Sequence, residues 1–446
     1  VGERNWMERL RNAFSQDHAG LIPLLGAGLL IRLLLMPFFA HVDFLSEYGR
    51  MYQIVATGKP TLYLGRIVVV LIEQIFLRLF LPLLPDAGTM LRFNDMRQST
   101  AGLPEYFLFV SDPQIFRTLF LLKIPYLLFD LCTAWVLCRL MSGKTGQKTA
   151  LCLWLFNPIT LYAFYVFGRF ESIPIFFLAL TLFLLKKDRW IASAVALGLA
   201  INCREIIVLY LPLYAFALFD RDWNRGVVAR RVIPAWIVLL LITILPFWMK
   251  MHLETPLAAG SAMQDMESAQ ALLGMQFHWF EPFVFCYAAI CLWLIEDRSL
   301  DAFERFLTAT GLCILSFLLV VSHSAHYASW MVLFPIGALY FEKPLLKPFL
   351  IFCACWLVTW AVQTDAGVFT LFLASPLSMN FFSFKTLLGV YENTVGPHVP
   401  ISRSMLIWSM KTIYAACIAY LMVLFFRKSG TGHASCPVYR ENQGSL

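Results

Sequence analysis

Charge is what this sequence has least of. Only 14% of its 446 residues are Asp, Glu, Lys or Arg, where a soluble globular domain carries about 25%. That shortage, with 59% hydrophobic residues and a mean hydropathy of +0.70, excludes a water-soluble globular fold. Several signatures of soluble catalysis are also missing. There is no Gly-rich phosphate loop, no P-loop lysine pattern and no defensible Ser-His-Asp order. Most of the 11 cysteines, Cys132, Cys138, Cys286, Cys313 and Cys417 among them, fall inside apolar runs, where thiols behave as small hydrophobes. Cys353-Ala354-Cys355 has no partner pair at zinc spacing. Neither a disulfide framework nor a metal cluster is expected. The net charge of +7 does not point to nucleic acid, because the Lys and Arg residues sit mostly in short loops between apolar runs. No small-residue cleavage site follows the first run, so it is not expected to be a signal peptide.

What is present is a series of apolar segments. Twelve read as spans: 20–40, 117–140, 149–167, 172–185, 190–201, 206–219, 232–249, 279–295, 306–321, 327–341, 349–362 and 404–426. The expected fold is all-α, a polytopic membrane protein whose residues 1–426 form one transmembrane catalytic domain. Basic loops after spans two, four, six and twelve fall on one side, the cytosolic one by the positive-inside rule. Residues 41–116, 250–277 and 363–402 then form outer regions, and the tail 427–446 is cytosolic. Within the first outer loop, 66–84 is apolar but interrupted by Glu73, Gln74 and Arg78, the pattern of an interfacial helix. Segments 190–201 and 206–219 are each short for a span; one long tilted helix is the alternative.

Polar side chains gather at four outer junctions: His41 with Asp43, Arg169 with Glu171, Arg204 with Glu205, and His323 with His326. Ionisable groups at membrane depth are costly and tend to face a cavity and pair there. Their shared side suggests one outward-facing polar site. A carboxylate with histidines and arginines beside lipid suits attack of a hydroxyl on a phosphate-activated carbon: the carboxylate takes the proton and a cation holds the departing phosphate. The structural alternative for Asp43 is a cap on the following helix.

Three stretches carry a family resemblance. The first is Pro37-Phe38-Phe39-Ala40-His41-Val42-Asp43 through Tyr48, with Gly58-Lys59-Pro60 beyond. The second is Phe156-Asn157-Pro158-Ile159, then Phe167-Gly168-Arg169-Phe170-Glu171-Ser172-Ile173-Pro174, then Gly198 to Glu205. The third is Ser322-His323-Ser324-Ala325-His326-Tyr327-Ala328-Ser329-Trp330 through Pro335. In order and placement they resemble the GT-C superfamily of polyprenyl-phosphate-sugar-dependent glycosyltransferases. The multi-span mannosyltransferases of the phosphatidylinositol-mannoside and GPI-anchor types are the most similar. The resemblance implies an inverting transferase that moves a sugar, mannose first among candidates, from a polyprenyl-phosphate donor to a glycolipid or glycan acceptor. Asp43 would be the base, with His326 the other catalytic residue. His41, Glu47, Arg169, Glu171, Arg204, Glu205, His323 and Tyr327 would bind substrate, with Arg204, His326 and Arg169 on the lipid phosphate. No cofactor is required, although a divalent metal is compatible with such a site. Two departures stand out: many relatives carry a second acid two positions after the first, where this chain has Leu45 and then Glu47; and Glu171 and Arg169 stand where Asp and Gln are common. A monomer in a bacterial inner membrane, facing the periplasm, is the expected setting, since no eukaryotic retention signal is visible at the C-terminus. The rival reading is a secondary transporter or lipid flippase, although no inverted repeat is evident.

Overall fold

The apolar runs become helices. The computed structural model describes residues 20–57, 66–84, 87, 91, 108–141, 144–219, 226, 228–253, 282–296, 300–320, 325–338, 346–363, 374, 376–378, 380, 398 and 403–430, and all regular structure among them is helical. In chain order the helices are α1 (Ile22–Leu35), α2 (Val42–Thr57), α3 (Ile67–Phe80), α4 (Ile115–Leu122), α5 (Ile124–Leu140), α6 (Lys144–Leu155), α7 (Pro158–Leu161), α8 (Ser172–Lys186), α9 (Trp190–Ile201) and α10 (Tyr210–Leu218). They continue with α11 (Ile233–Leu253), α12 (Pro282–Glu296), α13 (Ala302–Val320), α14 (Ser329–Ala338), α15 (Leu346–Gln363) and α16 (Arg403–Gly430).

Among the described residues, three helical stretches are long and apolar enough to cross a membrane: Ile115–Leu140, Val228–Pro246 and Ala302–Val320. The pair Gly146–Leu155 and Pro158–Val166, bent by 40°, makes a fourth if taken as one broken span. That is fewer than the twelve expected, because several expected spans are apolar helices of only 10–17 residues. The bend falls at Asn157-Pro158. Asn157 caps the second piece, its side chain accepting from the Ile159 N–H at 2.8 Å, and Pro158 has no N–H to continue the first. The outward faces are apolar: Ile237, Leu241, Ile244 and Trp248 of α11 are all more than half exposed. Apolar surface of that extent needs lipid around it. The chain is therefore an integral membrane protein.

Two hydrogen bonds decide between one helix and two at 190–219. Ser193 Oγ of α9 lies 2.6 Å from the Tyr214 hydroxyl of α10, and that hydroxyl donates to the Trp190 carbonyl at 3.0 Å. On one continuous helix Ser193 and Tyr214 would stand about 30 Å apart. The segments are instead an antiparallel hairpin, broken at Arg204, whose backbone is extended (φ −156°, ψ 125°).

The bundle also buries charge that holds its helices together. Arg32 of α1 pairs with Asp130 of α5 at 2.6 Å, both fully buried. Asp130 also accepts from the Trp154 indole N–H (2.6 Å) and the Tyr165 hydroxyl (2.5 Å), and Arg32 donates to the carbonyls of Gly28 and Leu155. A buried charge is tolerable when paired and hydrogen-bonded in this way. Helices α8 and α9 run between the two ends of the bundle and turn at Asp188, the described non-glycine residue with positive φ (54°). This brings the start of α8 and the end of α9 to the same end as the α1–α2 turn, and the site forms there.

Candidate active site

His41 and Asp43 open α2. The His41 carbonyl accepts from the Phe44 N–H at 3.1 Å, and its ring Nδ1 accepts from the Asp43 N–H at 3.1 Å. His41 therefore caps the helix, and in that tautomer Nε2 carries the ring proton. The carboxylate of Asp43 lies beside that ring, its Oδ1 3.8 Å from Nδ1. It remains 23% exposed, enough to meet a substrate, and its Oδ2 lies 3.3 Å from Arg169 Nη1.

Arg169 reaches that position through an unusual run of backbone. After α7 the chain makes a π-turn (Tyr162–Val166), and the Arg169 N–H bonds back to the Ala163 carbonyl at 2.9 Å. Gly168 between them has φ +80°, and a Cβ there would sit 3.0 Å from the Phe44 ring. Glycine alone meets both demands without strain. Glu171 and Ser172 follow at the start of α8, both fully buried.

Arg204, in the break after α9, lies 3.3 Å from Glu171 Oε1 and donates to the Tyr327 hydroxyl. It stacks over the Tyr327 ring at 5.0 Å. Tyr327 and His326 lie in a short 3₁₀ turn, Ala325–Ala328, where His326 is buried. An aromatic file then links the junctions: His41 stacks on Phe167 (3.9 Å), Phe167 contacts His326 (4.8 Å), and His326 contacts Tyr327 (4.5 Å). Glu205, more than half exposed, pairs with Arg66 Nε at 3.2 Å, while Arg66 Nη1 lies 3.9 Å from Glu47 Oε2.

Asp43, His41, Glu47, Arg169, Glu171, Arg204, Glu205, His326 and Tyr327 are thus drawn together from four separate parts of the chain. His323 and Gly58-Lys59-Pro60 lie outside the described residues. At the centre stands Phe170. Three guanidinium groups surround its ring: Arg169 at 5.1 Å, Arg66 at 5.4 Å and Arg204 at 5.4 Å from the centroid. Gathering like charges is costly in the absence of anions. Protein carboxylates pair with these three, but loosely: Arg169 Nε and Nη1, both oxygens of Glu171 and Ser172 Oγ are buried without a protein hydrogen bond. Unmade bonds at buried polar atoms are expensive; Arg169 Nε and Nη1 and Ser172 Oγ can donate to an oxyanion, whereas the Glu171 oxygens only accept.

Sequence reasoning missed several of these neighbours. Arg66 heads α3, read only as an interfacial helix. Glu73 of α3 is fully buried and accepts from the Tyr126 hydroxyl at 2.6 Å. Burial first, then the nearby Glu47, pushes its carboxyl up to about 8. Lys123, Arg32 and Asp130 are buried inside apolar stretches. The signal for all of them was an ionisable residue in a hydrophobic run. Among the described residues, no three His, Cys, Asp or Glu side chains gather in a way that could hold a metal ion.

Part of the chain is similar to curated proteins. The chain is 31% identical over 112 residues to GPI mannosyltransferase 1 of Kluyveromyces lactis, covering 24% of this chain and 27% of that protein. To GPI mannosyltransferase 1 of Saccharomyces cerevisiae it is 29% identical over 108 residues, 23% and 26% of the two chains. The chain spans about a quarter of the length of the curated relatives it matches. No family model matches it. Both relatives are named as mannosyltransferases, as are the members of the family that the sequence motifs resemble.

Proposed function

We propose that this protein is an inverting membrane mannosyltransferase that uses a polyprenyl-phosphate donor and works at the outer, periplasmic or luminal, face of its membrane. The observation that carries the reading is a partly exposed carboxylate, Asp43, 3.3 Å from a buried guanidinium, Arg169, whose Nε and Nη1 make no protein hydrogen bond. The phosphodiester that joins a sugar to a polyprenyl chain would satisfy those donors, and Arg204 lies on the same aromatic ring to share its charge. Asp43 then accepts the proton of the acceptor hydroxyl as that oxygen attacks the anomeric carbon. The bond from that carbon to the phosphate oxygen breaks, and the electron pair leaves with the lipid phosphate, held by Arg169, Arg204 and His326. Base and leaving group on opposite sides of the carbon invert its configuration, by analogy with single displacement in glycosidases. His41, Glu47, Glu171, Glu205 and Tyr327 shape the sugar and phosphate subsites, a role the sequence motif also assigns to His323.

In this reading the apolar helices make up a twelve-span domain with both ends on the cytosolic side, and the chain works as a monomer. The bacterial inner membrane expected from the sequence is one compartment that meets these needs. The yeast origin of both relatives makes a luminal setting equally compatible. The direct test is incubation of the purified full chain with a mannosyl polyprenyl phosphate and membrane glycolipids, followed by mass spectrometry. A glycolipid heavier by one hexose is expected, and no hexose transfer from any lipid-linked donor would exclude the reading.

A further inference from the structure

Lys123 lies between α4 and α5, inside the 115–140 stretch, and is fully buried. An ammonium group in apolar surroundings is tolerated only when its donors are satisfied. The Lys123 ammonium donates to three backbone carbonyls: Met36 at 2.9 Å, Phe39 at 2.5 Å and Tyr165 at 2.7 Å. Two of these belong to the turn that ends α1 and leads directly into Asp43. The third belongs to the π-turn that leads into Arg169. One side chain therefore fastens together the two strands of backbone that carry the opposed carboxylate and guanidinium. Tyr165 is held from its other end as well, because its hydroxyl donates to Asp130.

We propose that Lys123 is a positioning residue that sets the Asp43 carboxylate against the Arg169 guanidinium. The inference rests on the mannosyl-transfer reading above. Neither the turn at 36–41 nor the loop at 167–171 is a regular helix, so the carbonyl contacts of Lys123 do the work a helical ladder would do elsewhere. A displacement of about 1 Å between reacting groups can cost about 100-fold in rate.

The test compares Lys123→Met with Leu137→Ala, which removes buried apolar bulk from α5 away from the site, and with Lys123→Arg, which keeps a multi-donor cation. Transfer kinetics are measured per folded molecule on the full chain in lipid nanodiscs. Expected for Lys123→Met is a kcat lower by about 100-fold with the donor KM within about threefold of wild type. Leu137→Ala loses thermal stability yet keeps kcat, and Lys123→Arg recovers most of the activity. Genetically encoded spin labels at Ala56 and Lys187, both exposed, report α2 against α8 without any reaction. Their distance distribution broadens in Lys123→Met. A kcat that survives in Lys123→Met, or a fall shared equally by Leu137→Ala, overturns the proposal. Should Lys123→Met fail to fold, Lys123→Gln, whose amide has only two donors for the three carbonyls, decides it: a kcat drop of about 10-fold at constant KM supports it, and wild-type kcat overturns it. An inactive wild-type chain would sink the functional reading alone; the spin-label distances would still judge Lys123, and an unchanged distribution overturns its positioning role.

Discussion

Asp43→Asn is expected to lower mannosyl transfer by about 1,000-fold in kcat while leaving donor affinity within about threefold. Asparagine has the same shape and can still face Arg169, but it cannot take a proton from an attacking hydroxyl. Removing a positioned general base costs about 10²–10⁴ in rate. In the proposed mechanism the phosphate contacts come from Arg169 and Arg204, and the variant leaves both in place. Folding should be little affected, because Asp43 is partly exposed and its helix is capped by His41. The checks are single-turnover kinetics and equilibrium binding of the donor on the same preparation.

Arg204→Gln acts on the other half of the reaction and on stability as well. Arg204 and Glu171 are both buried, 3.3 Å apart, so the variant leaves Glu171 as a buried charge without its partner. Breaking a buried pair from one side costs about 3–5 kcal/mol of stability. Loss of a charge-assisted contact to the donor phosphate costs a further ~2 kcal/mol of binding, which raises donor KM about 30-fold. The two effects can be separated. In Arg204→Gln/Glu171→Gln the buried charge is gone, so thermal stability recovers while the donor KM stays high. Measuring Tm and KM on both variants distinguishes a phosphate ligand from a purely structural arginine. If KM returns to the wild-type value along with Tm, Arg204 has no part in binding.

Much of this site could be read from the chain because the membrane makes polar residues conspicuous. Four polar junctions in an apolar sequence pointed to one face, and Asp43–Arg169, Arg204–Glu171 and His41–Phe167–His326 bring them together. Asp43 could not be told from a helix cap by sequence, since both roles suit a carboxylate where a helix begins. The choice depends on where the His41 ring points. Segments 190–201 and 206–219 posed a similar question, which hydropathy cannot answer because it is blind to direction; the Ser193–Tyr214 contact answers it. Arg32 and Asp130 escaped notice because a window of about 20 residues absorbs a single charge, and they meet across 98 positions of sequence. Arg66 was missed because its partners, Glu47 of α2 and Glu205 in the break after α9, come from two other parts of the chain. Charge pairing over such separations is a property of packing, which local pattern does not encode.

The product's anomeric configuration, read by NMR after transfer from a donor of known configuration, tests the central claim most directly. With Asp43 drawing the proton on one side of the sugar carbon and Arg169 and Arg204 holding the phosphate on the other, the new glycosidic bond must have the opposite configuration to the donor's. A product with the donor's own configuration would mean two displacements and a covalent sugar–protein intermediate. Asp43 could then not be a simple base facing a phosphate held by the two arginines.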